Sequence, residues 1–171
     1  SQIERERGAA WRWLLAGAAF FLLLIALVLL FGLNMRRGLN HDEHQFVASG
    51  ALIGRFGLLP YRDFPYFHVP TLSLIYALLF QTTDYLLLAA RTFSVVCGWL
   101  LLVLIFVVAL LRLRNLKFGW RIATGVLGAW LLLAAPSFVF TSGRAWNHDL
   151  PVLLVLLAAV LASYWLRRPV R

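Results

Sequence analysis

Charge is scarce in this chain. Only 13% of its 171 residues are charged and only seven are acidic, while the mean hydropathy is +0.82. So little charge excludes an ordinary soluble domain and points to an integral membrane protein. The single cysteine, Cys97, lies inside an apolar run. That excludes an internal disulfide and a thiolate metal site. The net charge of +9 is carried mostly by residues between apolar runs, so it reads as a topological signal and no nucleic-acid partner is expected.

What is abundant is uncharged helix-forming sequence. The run from Trp13 to Leu33 holds no charge over about 21 residues, or ~31 Å as a helix, enough to cross a hydrocarbon core of ~30 Å. A signal-peptide core would be shorter and followed by a small-residue cleavage site, so this run reads as an uncleaved span. Further spans are expected over 85–111, 122–140 and 150–166. The piece from Thr71 to Phe80 is about ten residues, or ~15 Å, too short to cross.

Four spans put the N-terminal arm, the link at Arg112, Arg114, Lys117 and Arg121, and the tail at Arg167, Arg168 and Arg171 on one side. With Arg5, Arg7 and Arg12, those segments hold ten basic residues against Glu4 and Glu6. The outer segments, 34–84 and 141–149, hold five basic and five acidic residues. The positive-inside rule then makes both termini cytoplasmic in a multi-pass protein of the inner membrane. The expected fold is an all-α integral membrane module over 1–171, with four transmembrane helices and two interfacial helices in a long first outer loop.

That first loop concentrates the polar chemistry. It carries His41, Asp42, Glu43 and His44, then Gly57, Pro60 to Phe64, and His68-Val69-Pro70. From Glu43 to Phe56, apolar residues recur at roughly helical spacing, as in a helix lying on a membrane surface, with Gly54 and Gly57 weakening and ending it. Thr71 to Phe80 makes the second interfacial helix, with Tyr76 as its expected anchor. Asp42 reads as the N-cap of the first, with Gln45 as capping-box partner. A carboxylate fixed at a helix start is also a well-positioned base. Arg91 lies seven residues into the second span, and an intramembrane arginine is by default functional. It either snorkels toward Asp84 or meets a buried anion, a phosphate or a loop carboxylate. The second outer loop ends in Arg144, Trp146, His148 and Asp149. Asp149, ahead of Pro151, reads as another N-cap. The histidines invite a metal reading, but the 41–44 spacing fits no strong ligand pattern. No cofactor is required by these residues, and a divalent cation stays open.

These residues resemble, in order, the N-terminal part of a GT-C glycosyltransferase of the group with protein O-mannosyltransferase-like and aminoarabinose-transferase-like enzymes. The likeness rests on Asp42-Glu43 after the first span and on a Gly-x-x-Pro-Tyr-x-Asp stretch from Gly57 to Asp63. It continues in a proline-led helix from Pro70, in Ala89-Ala90-Arg91 and in Asp149-Leu150-Pro151, and runs over roughly residues 11–166. The resemblance implies sugar transfer from a polyprenyl-phosphate carrier to an acceptor on the outer face. It implies Asp42 as catalytic base, with Glu43 and Asp149 completing the acidic set. It also implies donor-phosphate contact at His68, Arg91 or Arg62. Relatives run on for many more spans, so the chain corresponds to their N-terminal portion.

Expected partners are the polyprenyl-phosphate-linked sugar and membrane lipids. The rival reading is a GT-C-like module without catalysis, packed through its apolar faces and seven tryptophans against further membrane subunits.

Overall fold

The uncharged run from Trp13 lies in a helix longer than the run itself. The computed structural model describes residues 2–166, and among them builds α1 (Gln2–Met35), α2 (His41–Phe56), α3 (Thr71–Leu79), α4 (Leu86–Arg112), α5 (Phe118–Ala134), α6 (Pro136–Thr141) and α7 (Asp149–Trp165). An isolated bridge between Pro60 and Phe64 is the one β-contact among the described residues. The basic tail at Arg167, Arg168 and Arg171 lies outside them.

Two helices, Ala9–Met35 within α1 and Leu86–Arg112, are long and apolar enough to cross a membrane. Each holds 27 residues, ~40 Å of helix. The apolar helices α5 and α7 hold 17 residues each, ~25 Å. The run expected as one span over 122–140 is two helices. Ala135 is extended (ψ 126°) because it precedes Pro136, and the residue before proline avoids the helical region.

α4 is the spine of the bundle, packed against α1, α5 and α7. Leu30, Leu102 and Ala129 are among the best-buried members of the core between these helices. α7 is held more loosely. Its one buried residue is Asp149, while Leu153 and Leu156 are partly buried against the core.

The first loop, between α1 and α4, is a helical hairpin of α2 against α3, docked on the N-terminal end of α4. The hairpin closes through glycine. A Cβ on Gly50 would lie 2.7 Å from the Tyr76 Cβ, and one on Gly54 would lie 2.6 Å from the Ala77 carbonyl oxygen. Small residues let the two backbones approach this closely. Gly54 is therefore a contact point and does not break α2, whereas Gly57 ends it in a left-handed conformation with its N–H on the Ile53 carbonyl. Tyr76, expected as an interfacial anchor, is instead fully buried. It stacks on Phe80 at 5.7 Å, and its hydroxyl is 3.1 Å from Ser94 Oγ on α4. The α3–α4 contact needs that side chain more than the interface does.

Candidate active site

Asn40, not Asp42, caps α2. Its side chain accepts the Asp42 N–H at 3.0 Å, and the Glu43 carboxylate accepts the Asn40 N–H at 3.0 Å, closing a capping box. Gln45 has no part in it. The shift of the cap to Asn40 separates the fates of the two adjacent acids. Successive residues on a helix point about 100° apart, so when Glu43 turns inward Asp42 faces out.

Glu43 is fully buried. It accepts Arg91 Nε at 2.9 Å and Arg91 Nη2 at 2.7 Å in a bidentate pair, and the Ala145 N–H at 2.9 Å besides the Asn40 N–H. Four bonds fill a carboxylate's acceptor capacity. Burial works to raise the Glu43 carboxyl. The Arg91 guanidinium and the Ala145 and Asn40 amides outweigh it and hold the group below its ordinary range. Arg91 completes its own set on the carbonyls of Asn34, Arg37 and Gly38 at 2.9–3.0 Å. Its five N–H donors are thereby all used, and none is left for a phosphate. The loop carboxylate is the partner that Arg91 takes. Asp84 binds Arg55 instead, at 2.6 Å.

This clamp ties four elements together: the end of α1, the start of α2, α4, and the second loop, between α6 and α7, through Ala145. Asp149 fastens the same loop from the other side. Its carboxylate accepts the Gly143 N–H at 2.7 Å and makes no cap on its own helix. Burial pushes the Asp149 carboxyl up to about 6, against the opposing pull of the neighbouring Ser142 hydroxyl and the Gly143 amide. The loop packs closely against α1 and α4. A Cβ on Gly143 (φ 79°) would lie 2.1 Å from Asn34 Nδ2, and one on Gly98 would lie 2.2 Å from Ser142 Oγ. A Cβ at either position would displace the Asn34 or Ser142 side chain.

So docked, the second loop faces the start of α2 across a cavity of about 260 Å³. Asp42, Gln45, Phe46, His68, Trp146, Asn147 and His148 line it. Of the residues that the sequence suggests, this brings together Asp42 and His68, with Glu43, Arg91 and Asp149 buried behind as its framework. His68 is fixed by ring contacts to Phe46 (5.0 Å) and Tyr66 (6.0 Å), and its carbonyl accepts the Tyr61 hydroxyl. Asp42 is more than half exposed. No hydrogen bond reaches its carboxylate among the described residues, and His41 Nδ1 stands 3.8 Å away. Arg62 lies outside the cavity in a tight turn. There Asp63 accepts the Leu59 N–H at 2.7 Å and is forked by Arg62 at 2.8–2.9 Å. The Gly57 to Asp63 stretch is thus a turn with its own closure.

Gln45 and Asn147 carry little sequence signal as site residues, because topology places the two loops on one face without saying which of their residues meet. Trp146 packs against His148 at 5.1 Å, and its indole N–H is buried without a hydrogen-bond partner among the described residues. Beside the polar cavity, α7 and the α5–α6 pair leave a cleft of about 660 Å³ floored by Leu101 and Ile105 of α4. It is apolar apart from the end where Ser137, Thr141, His148 and Asp149 lie. His148 lines both cavities. Among the described residues, no three His, Cys, Asp or Glu side chains gather to hold a metal ion. Comparison with protein families, characterised proteins and solved structures finds no match to the chain.

Proposed function

We propose that the chain crosses the inner membrane four times, through α1, α4, α5–α6 and α7, and that it is the N-terminal catalytic part of a GT-C glycosyltransferase. The reaction is transfer of a sugar from a polyprenyl-phosphate donor to an acceptor hydroxyl at the outer face. Asp42 is the general base: it takes the proton of the hydroxyl that attacks the anomeric carbon while the carbon–oxygen bond to the carrier phosphate breaks. One observation carries the reading. Asp42 is an unbonded carboxylate on the wall of a cavity built by both outer loops, and that cavity adjoins an apolar cleft through His148. Such a layout suits a ligand with a polar head and a long hydrocarbon chain. Glu43 and Asp149 act as positioning residues, since their oxygens are engaged in holding the loops.

The test is sugar transfer from a polyprenyl-phosphate donor by the full chain in proteoliposomes. Asp42→Asn should cut turnover on the order of 10²–10⁴-fold. A folded Asp42→Asn variant with unchanged turnover ends the catalytic reading.

A structural-subunit role has one observation in its favour: apart from Asp149, no residue of α7 is buried, which leaves an apolar face for a neighbouring membrane helix. Absence of transfer together with co-purification of a fixed membrane partner would select it.

A further inference from the structure

Two arginines of the outer loops share one oxygen. Arg37 Nη1 donates to the Phe140 carbonyl at 3.4 Å, and Arg144 Nε donates to the same carbonyl at 3.1 Å. Arg37 also bonds the Val139 carbonyl and Asn34 Oδ1. Two guanidiniums are thus held within a few ångströms of each other at the C-terminal end of α6. Arginine near the last carbonyls of a helix is ordinary, and one guanidinium would satisfy them. The second adds like-charge repulsion that the helix end does not require. Burial first, then the neighbouring Arg144 and Arg91, bring Arg37 down from its ordinary value.

Neither arginine forms an ion pair among the described residues. Glu43, the carboxylate whose charge reaches Arg37, is spent on Arg91. Arg144 uses only Nε in hydrogen bonding, so both of its terminal nitrogens are unspent. Its plane is fixed over the rings of Phe140 (5.3 Å) and Trp146 (5.2 Å). A fixed guanidinium with free terminal nitrogens matches phosphate geometry, because planar N–H pairs bind two oxygens at once. The surroundings define what carries that phosphate. Trp146, beneath Arg144, lines the Asp42 cavity, and another face of α6 (Ser137, Phe138, Thr141) lines the apolar cleft. At about 660 Å³, that cleft is of ligand-site size.

We propose that Arg37 and Arg144 form the phosphate site for a long-chain isoprenyl phosphate whose hydrocarbon lies in the cleft between α5–α6 and α7. Under the glycosyltransferase reading, on which the choice of lipid rests, this site takes the donor phosphate in place of His68, Arg91 or Arg62. Its position beside Trp146 sets the linked sugar against Asp42.

The experiment measures binding of farnesyl phosphate and of farnesol to the full chain in phosphatidylcholine nanodiscs. The phosphate should bind at least about tenfold more tightly than the alcohol, a difference of about 1.4 kcal/mol. Arg37→Gln and Arg144→Gln should each remove most of that difference and leave farnesol binding unchanged, while Arg36→Gln should alter neither. Equal binding of phosphate and alcohol, or glutamine variants that keep the difference, overturns the proposal. If a glutamine variant does not fold, Arg37→Lys or Arg144→Lys replaces it and should lower the phosphate preference several-fold, because the ammonium keeps the charge and loses the fork; a lysine variant with the full preference overturns the proposal. Displacement of farnesyl phosphate by phosphatidylglycerol at equal concentration would assign the site to bulk phospholipid and overturn the chosen source. The two readings fail separately. Phosphate binding without sugar transfer sinks the enzyme and leaves the site, and transfer with unchanged KM in the arginine variants sinks the site and leaves the enzyme.

Discussion

The carboxylate of Glu43 accepts four hydrogen bonds in a buried site, and that of Asp42, one residue earlier, accepts none among the described residues. The pair divides labour: one acid builds the wall and the other is left to act from it. Arg91 enforces the division, since its fork admits one carboxylate and Glu43 fills it.

The cap assignment can be tested on stability alone. Asn40→Ala should destabilise the protein by about 1 kcal/mol through loss of the side-chain cap. Asp42→Ala should leave the thermal midpoint nearly unchanged, because that carboxylate holds no backbone donor. Equal losses in the two variants would return the cap to Asp42.

The clamp predicts a much larger effect. Glu43→Gln leaves Arg91 charged and buried without its counter-ion, a change that typically costs about 3–5 kcal/mol. Arg91→Lys should also lower the unfolding midpoint, since an ammonium has three donors where the site uses five. A Glu43→Gln midpoint within error of the parent would show that the pair contributes nothing to stability.

Asp149 gives the fold a pH dependence of defined sign. Its folded carboxyl, pushed up to about 6, binds a proton more tightly than the unfolded one near 3.9. The neutral acid is the form that folding favours. This contribution is fully present below about pH 4 and is lost as pH rises through about 6. Asp149→Asn should flatten that part of the stability profile while keeping an acceptor for the Gly143 N–H. Glu43 acts in the opposite sense and at lower pH, because its carboxyl is held below the ordinary range. A profile whose slope between about pH 4 and 6 is the same in the parent and in Asp149→Asn would refute the assignment.

Topology is testable with accessible positions. Ser49 and Ser142 are buried, so Ala48→Cys on α2 and Asn147→Cys in the second loop are the better reporters. Both should react with an impermeant thiol reagent from outside, and Arg114→Cys should not. The native Cys97 is buried and should stay silent. Labelling of only one loop position would separate the two loops across the bilayer and dissolve the shared cavity.

Hydropathy made much of the fold legible. The first two runs lie in α1 and α4, and the last apolar run, expected over 150–166, is α7. Helical periodicity found α2, and a ten-residue apolar piece became α3. The break at Ala135 was written in Pro136, but the apolar composition on both sides masks a turn that changes no hydropathy. Faces were harder. Asp42 or Glu43 could each have faced the core, and only the position of Arg91 on another helix decides between them. Tyr76 suits an interface by composition and a core by shape. The Arg37–Arg144 pair left no trace in the sequence, because its shared partner is a backbone carbonyl and carbonyls are not spelled by residue type.

One mismatch of length bears on the membrane itself. α4 and α7 lie side by side, yet one is ~40 Å long and the other ~25 Å. Under the four-span proposal, a bilayer of ~30 Å meets both helices by tilt of α4 and by thinning beside α7. The thinning falls along the edge where the apolar cleft opens. On that proposal a lipid next to that edge sits in a compressed, costly packing, and its departure into the cleft would relieve strain in the bilayer that it leaves.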